Sequence, residues 1–224
     1  MNESMIIQCS GGFDSAAVMC FCVAEYKTHR LIPHFFDYGQ PYAEQEQRAA
    51  EYVRDELAKG CNRIEPLFVT RCELPRAELK SDYFPLRNLV LASLSASLAV
   101  ARGAEMVAVG SKTTSLREND AWCFADCTSD FYEQVTKTIS EGSERELKAP
   151  RIIRPLVAHD YTPQAKALPK SAVLRLIESF GLKFERLWNC YRAQSEPCGE
   201  CYHCLELEKA KKELHENYHS KKSS

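Results

Sequence analysis

The chain has 224 residues, of which 45% are hydrophobic, and carries a formal net charge of −2 at pH 7. This length suits one sizeable α/β domain with an appendage. The near-neutral charge argues against nucleic acid or a membrane surface as the main partner. The longest apolar run, residues 86–101, is broken by Arg87, Asn88 and several serines, so no run is long enough to span a membrane. The N-terminus lacks the pattern of a signal peptide, and we expect a cytoplasmic protein.

Short apolar runs alternate with helical patterns along the first 180 residues. Strands are predicted at residues 5–8, 30–36, 64–69, 106–109 and, as a short extended piece, 151–155. Helices are predicted at residues 15–29, 44–58, 87–101, 131–139 and 170–180. This alternation predicts an α/β fold, a parallel sheet with helices on both faces. Ligands of such sheets bind outside the carboxyl ends of the strands.

The segment Ser10-Gly11-Gly12-Phe13-Asp14-Ser15, called the phosphate loop below, joins the first predicted strand to the first predicted helix. The N–H groups at a helix start attract anions, and adjacent glycines let a phosphate approach the main chain. The serines add donors, and Asp14 is suited to holding Mg²⁺ bound to phosphates. No Gly-Lys-Ser/Thr follows, so this is not a Walker loop. An ordinary turn of small residues is the alternative, but the six-residue pattern favours ATP binding.

Other strand ends and a cysteine cluster supply further candidates. Asp37 and Tyr38 follow the second predicted strand, and Gly110 follows the fourth, so we expect all three at the nucleotide site. Eleven cysteines, an odd number without a signal peptide, argue against a disulfide framework. Seven are scattered, and most of them are expected to be small buried residues: Cys9, Cys20, Cys22, Cys61, Cys72, Cys123 and Cys127.

The remaining four cysteines lie close together near the C-terminus: Cys190, Cys198, Cys201 and Cys204. Their spacing, C-x7-C-x2-C-x2-C, brings four thiolates around one ion and predicts a structural Zn²⁺ site. A [4Fe–4S] cluster is the chemical alternative. His203 lies inside this knuckle as a competing ligand, although four cysteines already complete a tetrahedral set.

Together, the phosphate loop and the cysteine cluster resemble the 7-cyano-7-deazaguanine synthases (QueC/ExsB type). This is a family of N-type ATP pyrophosphatases with the HUP, or adenine nucleotide alpha hydrolase-like, fold. Further segments that agree in order are Asp37-Tyr38-Gly39-Gln40, Phe84-Pro85-Leu86-Arg87-Asn88, Ala125-Asp126-Cys127, Lys170 and Cys198-Gly199-Glu200-Cys201. The resemblance covers nearly the whole chain. It implies a nucleotide-binding domain over residues 1–186 and a zinc-binding helical subdomain and tail over residues 187–224.

The family reaction converts 7-carboxy-7-deazaguanine, ammonia and ATP to the nitrile through an adenylated carboxylate and an adenylated amide. The resemblance implies catalytic roles for Asp14, Ser15, Arg87 and Lys170. Arg87 with Asn88 is equally well read as a buried structural cap. The resemblance places five residues near the substrate: Phe84, Arg87, Asn88, Asp126 and Cys127. An aromatic residue at 84 is more often part of a core. The implied cofactors are ATP, Mg²⁺ and structural Zn²⁺, and the implied assembly is a homodimer.

The sequence also departs from the family pattern. Tyr38-Gly39-Gln40-Pro41-Tyr42 stands where the family has YGQRH, and Thr128 replaces the arginine of its PDCR element. Residues 110–126 and 160–169 also differ. One alternative is therefore an enzyme that adenylates the same carboxylate but stops at the amide or transfers it to a protein amine, as in a phage-defence system. A tRNA-thiolation enzyme, which the charge disfavours, and a non-enzymatic zinc-knuckle module are further alternatives.

Overall fold

The fold is built around a five-stranded parallel sheet. The computed structural model describes residues 3–76, 84–113, 124–144, 147–162, 164–192 and 195–220. The strands are β1 (Ser4–Gln8), β2 (Arg30–Asp37), β3 (Phe68–Arg71), β4 (Met106–Ala108) and β5 (Arg151–Ile153). They are ordered β3-β2-β1-β4-β5. Because the order reverses at β1, the carboxyl ends of β1, β2 and β4 frame the crevice where such sheets bind ligands.

Six helices are found in the described residues: α1 (Phe13–Glu25), α2 (Ala43–Ala58), α3 (Arg87–Arg102), α4 (Ser129–Gly142), α5 (Lys170–Ser179) and α6 (Tyr202–Ser220). A small antiparallel hairpin, β6 (Val157–Ala158) and β7 (Lys166–Ala167), follows β5. Short 3₁₀ turns lie at Ala125–Cys127 and Phe184–Arg186. No described helix is both long enough and apolar enough to cross a lipid bilayer.

Helices cover both faces of the sheet, as predicted. Successive side chains of a strand point to opposite faces. Met5 and Ile7 join the core shared with α1, α2, α5 and α6, whereas Ile6 joins the core under α3 and α4. Strands buried on both faces explain the continuous apolar run Met5-Ile6-Ile7.

Several element boundaries differ from the sequence predictions. Strand β3 begins at Phe68, not at residue 64, because Pro66 lacks the N–H that would continue the pairing, and Ile64 makes only an isolated bridge to Leu31. Helix α1 begins at Phe13 and ends at Glu25, so it takes in part of the phosphate loop and stops before the polar turn at residues 27–28. Of the scattered cysteines, four are buried (Cys9, Cys20, Cys22 and Cys61). Cys72 and Cys127 are partly exposed, and Cys123 lies outside the described residues.

Candidate active site and metal centre

The phosphate loop packs directly on helix α2. Gly11 has φ +75°, and a Cβ atom there would lie 2.5 Å from the Glu46 carbonyl oxygen, so only glycine fits. Ser15 Oγ donates to the Gly12 carbonyl at 2.9 Å and lies 3.2 Å from Ser10 Oγ. The serine hydroxyls are thus held beside the N-terminus of α1, where the helix dipole favours an anion.

Two other segments close over this loop. The Trp188 backbone N–H donates to the Gly11 carbonyl at 3.1 Å, and a Cβ atom on Gly12 would lie 3.3 Å from the Trp188 carbonyl oxygen. Gly110, at the end of β4, is equally close, since a Cβ atom there would lie 3.3 Å from the Ser15 nitrogen. Gly110 therefore contacts the loop, as the sequence predicts for a residue at this strand end.

A charged cluster sits at the first turn of α1. Lys170 Nζ donates to Asp14 Oδ2 at 2.9 Å, and Lys112 Nζ lies 3.5 Å from Asp14 Oδ1. Glu206 of α6 lies 3.8 Å from Lys170 Nζ. Burial disfavours ionised Asp14, but Lys170 and Lys112 outweigh it and hold the pKa of this carboxyl below its usual value. Burial likewise opposes the charge of Lys170, whose pKa is nevertheless raised by Asp14 and Glu206.

The same cluster fits a divalent cation bound to phosphates. Asp14 Oδ1 is buried and faces Lys112 Nζ at 3.5 Å, but it accepts no hydrogen bond from the described residues. A carboxylate oxygen with spare capacity beside an anion site is suited to Mg²⁺. Lys112 lies in the candidate segment after the fourth predicted strand, residues 110–114, but the sequence assigned it no role. Sequence reasoning missed Glu206, because nothing local marks it on its helix.

The turn after β2 is organised by one buried glutamine. Gln40 Oε1 accepts from the Tyr38 N–H at 2.8 Å, and Gln40 Nε2 donates to the Phe36 carbonyl at 2.9 Å and to Glu46 Oε2 at 3.0 Å. Burial raises the pKa of Glu46 to about 7, against the opposing effects of Gln40 and the Arg87 charge. Neither Gln40 nor Glu46 was among the predicted site residues.

Two predicted site residues near this turn, Asp37 and Phe84, lie in different environments. Asp37 lies at the rim, where it accepts from the Gly39 N–H at 3.3 Å and lies 3.8 Å from Arg71. Phe84 is 3% exposed and packs edge-on against Tyr38 at a centroid distance of 4.9 Å. The Phe84 ring therefore belongs to a core cluster, and its contact with a substrate stays a prediction.

Arg87 is a cation held by neutral groups. Its Nη1 donates to Tyr38 Oη at 3.3 Å, and its Nε donates to Asn88 Oδ1 at 3.4 Å. Tyr42 and Tyr191 also interact electrostatically with its charge, as does the buried carboxyl group of Glu46. Among the described residues Arg87 forms no ion pair within 4.0 Å, and an oriented guanidinium group without a direct carboxylate partner is suited to binding an incoming anion.

Asn88 joins the start of α3 to the 3₁₀ turn at Ala125–Cys127. The Asn88 N–H donates to Asp126 Oδ2 at 3.1 Å, and its side-chain amide donates to the Asp126 carbonyl at 3.0 Å and to Cys127 Sγ at 3.1 Å. Asp126 therefore caps α3, and among the described residues its other carboxylate oxygen, Oδ1, makes a long contact with Cys127 Sγ at 3.9 Å. Burial and the Asp126 charge raise the pKa of the Cys127 thiol, which disfavours a nucleophilic thiolate.

The four clustered cysteines form a site that fits one tetrahedral metal ion. The Sγ atoms of Cys190, Cys198, Cys201 and Cys204 all lie within 4.8 Å of one another. Backbone N–H groups point at the sulfur atoms: Cys190 Sγ accepts from the Cys198 N–H, and Cys198 Sγ accepts from the Cys201 N–H. Such N–H groups stabilise thiolates, the form that binds metal.

The cysteine knuckle also contacts the charged cluster. Tyr191, next to Cys190, stacks on Tyr42 of the β2–α2 turn at a centroid distance of 5.1 Å. The His203 ring lies 4.0 Å from the Tyr191 ring. Glu206, one turn further along α6, faces Lys170. The four-cysteine site therefore adjoins aromatic and charged side chains that lie near the phosphate loop.

Comparisons with known proteins agree with this architecture. The chain is 29% identical over 220 residues to a 7-cyano-7-deazaguanine synthase of Campylobacter curvus (91% of this chain, 90% of the relative). It is 27% identical over 213 residues to the same-named protein of Nitratiruptor sp. (89% of each chain). A 4-thiouridine synthetase solved with RNA and ATP shares the fold at a TM-score of 0.52 and 16% identity; the match covers 95% of this chain and 50% of the synthetase.

The family model that matches is described as queuosine biosynthesis protein QueC, and the match covers residues 62–215, more than half of the chain. The matched region includes the Arg87-Asn88 segment, the Ala125–Cys127 turn, Lys170 and all four clustered cysteines. With a parallel sheet, a phosphate loop at its switch point and the cysteine site in place, this chain belongs to the QueC family.

Proposed function

We propose that this protein uses ATP to convert 7-carboxy-7-deazaguanine to the nitrile 7-cyano-7-deazaguanine. The carboxylate attacks the α-phosphate, pyrophosphate leaves, and ammonia displaces AMP to give the amide. A second ATP activates the amide oxygen in the same way, and loss of AMP and two protons leaves the nitrile. Each substrate oxygen thus departs on an AMP. The observation that carries the proposal is a phosphate loop together with Arg87, a cation that has no direct ion-pair partner among the described residues, at one crevice of a QueC-family chain.

At the phosphate end, the N–H groups of the loop and the Ser10 and Ser15 hydroxyls would bind the departing pyrophosphate. Lys170 and Lys112 would exchange Asp14 for phosphate oxygens when ATP binds. Mg²⁺ held by Asp14 would neutralise phosphate charge. Two lysines that share one carboxylate are suited to this exchange of partners.

At the substrate end, the Arg87 guanidinium would bind the carboxylate to be adenylated. Asp126 Oδ1 would accept an N–H of the deazaguanine ring, because an ionised carboxylate only accepts hydrogen bonds. Asn88 fixes Asp126 through two hydrogen bonds, so the structural role and the binding role of this pair are compatible. Zn²⁺ on the four cysteines would hold the knuckle in place without taking part in the chemistry.

A second candidate is transfer of the activated carboxylate to a protein amine, or release at the amide. It is favoured by Tyr42 and Thr128, because the family pattern has a basic residue at each of these positions. Tyr42 is 2% exposed and stacked on Tyr191, and Thr128 caps α4 by accepting from the Phe131 N–H at 3.2 Å. Neither residue supplies the positive charge that the family has there.

One experiment separates these outcomes. The purified protein is incubated with 7-carboxy-7-deazaguanine, ATP and Mg²⁺, with and without ammonium, and the products are followed by mass spectrometry. We expect nitrile, with two AMP molecules formed for each nitrile. Amide alone, or a mass increase on a protein, would support the second candidate. No AMP formation dependent on the deazaguanine would overturn both.

We also propose that the protein is a cytoplasmic homodimer, as the family resemblance implies. Light scattering of the purified chain measures its mass directly. A mass near the 25.5 kDa of the single chain would contradict the dimer.

A further inference from the structure

Arg154, immediately after β5, is a buried cation with an unusually complete set of partners. Its side chain is 0% exposed. Its Nε donates to Asp160 Oδ2 at 2.9 Å, and its Nη2 donates to Ser129 Oγ at 3.1 Å. Ser129 Oγ in turn donates to Asp160 Oδ1 at 2.8 Å. A buried guanidinium group is tolerated only when its donors are satisfied in this way.

Two further donors of Arg154 bind backbone carbonyls of the active-site loops. Its Nη1 donates to the Thr113 carbonyl and to the Cys127 carbonyl, each at 2.9 Å. Ser111 Oγ also donates to the Cys127 carbonyl at 2.9 Å. Thr113 follows Lys112, which faces Asp14, and Cys127 follows Asp126. One guanidinium group therefore ties the lysine that faces the phosphate loop to the carboxylate at the substrate end.

The position of Arg154 relates to a departure from the family pattern. The PDCR-like element has Thr128 where its arginine stands. Arg154 contacts the residues on both sides of that position, the carbonyl of Cys127 and the hydroxyl of Ser129. Thr128 itself is used as the cap of α4, accepting from Phe131. Arg154, which follows β5, thus supplies a positive charge at the turn where the family pattern has an arginine at position 128.

We infer that Arg154, held by Asp160, is the positioning residue of the substrate end of the site. It fixes the Ala125–Cys127 turn and does so in place of an arginine at position 128. This inference rests on the proposed function, because it concerns the end of the crevice that would bind the deazaguanine. A purely stabilising ion pair would leave substrate affinity unchanged once the protein is folded.

The test compares Arg154→Thr, Arg154→Lys and the exchange variant Thr128→Arg/Arg154→Thr with the native chain. Arg151→Ala changes an exposed arginine of β5 and is the matched control. Thr128→Arg alone measures the effect of losing the α4 cap. Steady-state kinetics give KM and kcat for the deazaguanine and for ATP, and the thermal midpoint reports folding.

We expect Arg154→Thr to raise KM for 7-carboxy-7-deazaguanine about tenfold or more while KM for ATP changes less than about threefold. Arg154 reaches the ATP end through the Thr113 carbonyl beside Lys112, whereas Lys170 keeps its own contact with Asp14, so KM for ATP should change less than KM for the deazaguanine. Lysine should recover part of the loss, because it restores one donor. The exchange variant should recover more of it than Arg154→Lys. An Arg154→Thr variant with a lowered midpoint and unchanged KM would overturn the positioning role. An exchange variant no better than Arg154→Thr would overturn the replacement of position 128.

Hydrogen exchange makes this result independent of turnover. In Arg154→Thr, exchange should accelerate in peptides covering residues 111–113 and 124–129 and not in peptides covering residues 10–15. If the native chain fails to use the deazaguanine but exchange changes as expected, the proposed substrate is wrong and the tie between the loops stands. If the native chain is active and neither exchange nor KM responds, the positioning inference fails alone.

Discussion

Lys170 Nζ lies 2.9 Å from Asp14 Oδ2, although 156 positions separate the two residues in the chain. Lys170 begins α5, and Asp14 lies in the first turn of α1, so the contact depends on the packing of these two helices in one core. The contact turns the phosphate loop from a simple helix start into a charged centre that can accept both a cation and phosphate oxygens.

Replacing Lys170 tests that centre. Lys170→Met keeps the length of the side chain but removes its charge, and we expect kcat to fall by about 10²–10³ because transition-state charge on the phosphate loses a partner. Pyrophosphate release measures the rate. Lys166→Met, an exposed position on the β6–β7 hairpin, is the control. A kcat within about threefold of the native value would show that Lys170 does not contact the reacting phosphate.

Gly11 is limited by a clash as well as by its backbone conformation. Gly11→Ala should lower the free energy of unfolding by more than about 3 kcal/mol, because its Cβ would press on the Glu46 carbonyl. Gly39→Ala is the matched control, since Gly39 has φ +84° but open space around it, and should cost about 1 kcal/mol. Urea denaturation measures both. Equal losses would mean that α2 does not pack against the loop as described.

Removing the metal should disable the crevice as well as the knuckle. We expect metal analysis to find zinc, and Cys201→Ser to lose the metal and lower the thermal midpoint by about 5 °C or more. Activity should also be lost, because Tyr191 and Glu206 are no longer held in place. Cys72→Ser, outside the cluster, is the control and should keep both metal and activity. Iron and labile sulfide in a brown sample would show that the four cysteines hold an iron–sulfur cluster and not zinc.

Glu46 should make stability depend on pH. Its pKa rises to about 7 in the folded protein, so the folded state binds the proton more tightly than the unfolded chain. Stability therefore falls as pH rises from the unfolded pKa near 4.5 through 7 and is reduced most above it. Glu46→Gln removes this effect and should be more stable than the native chain by up to about 3 kcal/mol at pH 8 but by only about 1 kcal/mol at pH 5. Denaturation at both pH values measures the difference. A difference that does not change with pH would place the Glu46 pKa near its ordinary value.

Local patterns were sufficient for the framework of the protein. The apolar run Met5-Ile6-Ile7, followed by small residues and Asp14, predicted both a buried strand and an anion site, because strand burial and helix-start chemistry depend on adjacent residues. The metal site was equally predictable from the sequence, because four cysteine ligands from one short segment must lie near each other. The boundaries of the strands and helices were predicted less accurately. Strand β3 starts late because Pro66 interrupts a run that is otherwise apolar.

The parallel sheet, the phosphate loop and the cysteine site could all be predicted from the sequence, since each depends on neighbouring residues. The surroundings of these features depend on how the chain packs in three dimensions. Arg154 looked like an ordinary residue after a short strand, and Glu206 like one of many charges on a helix. Each gains a role because folding brings it to residues far away in the chain, Arg154 to the Cys127 carbonyl and Glu206 to Lys170. Burial makes those few charged contacts energetically important, because a charge removed from water must find its partners within the protein.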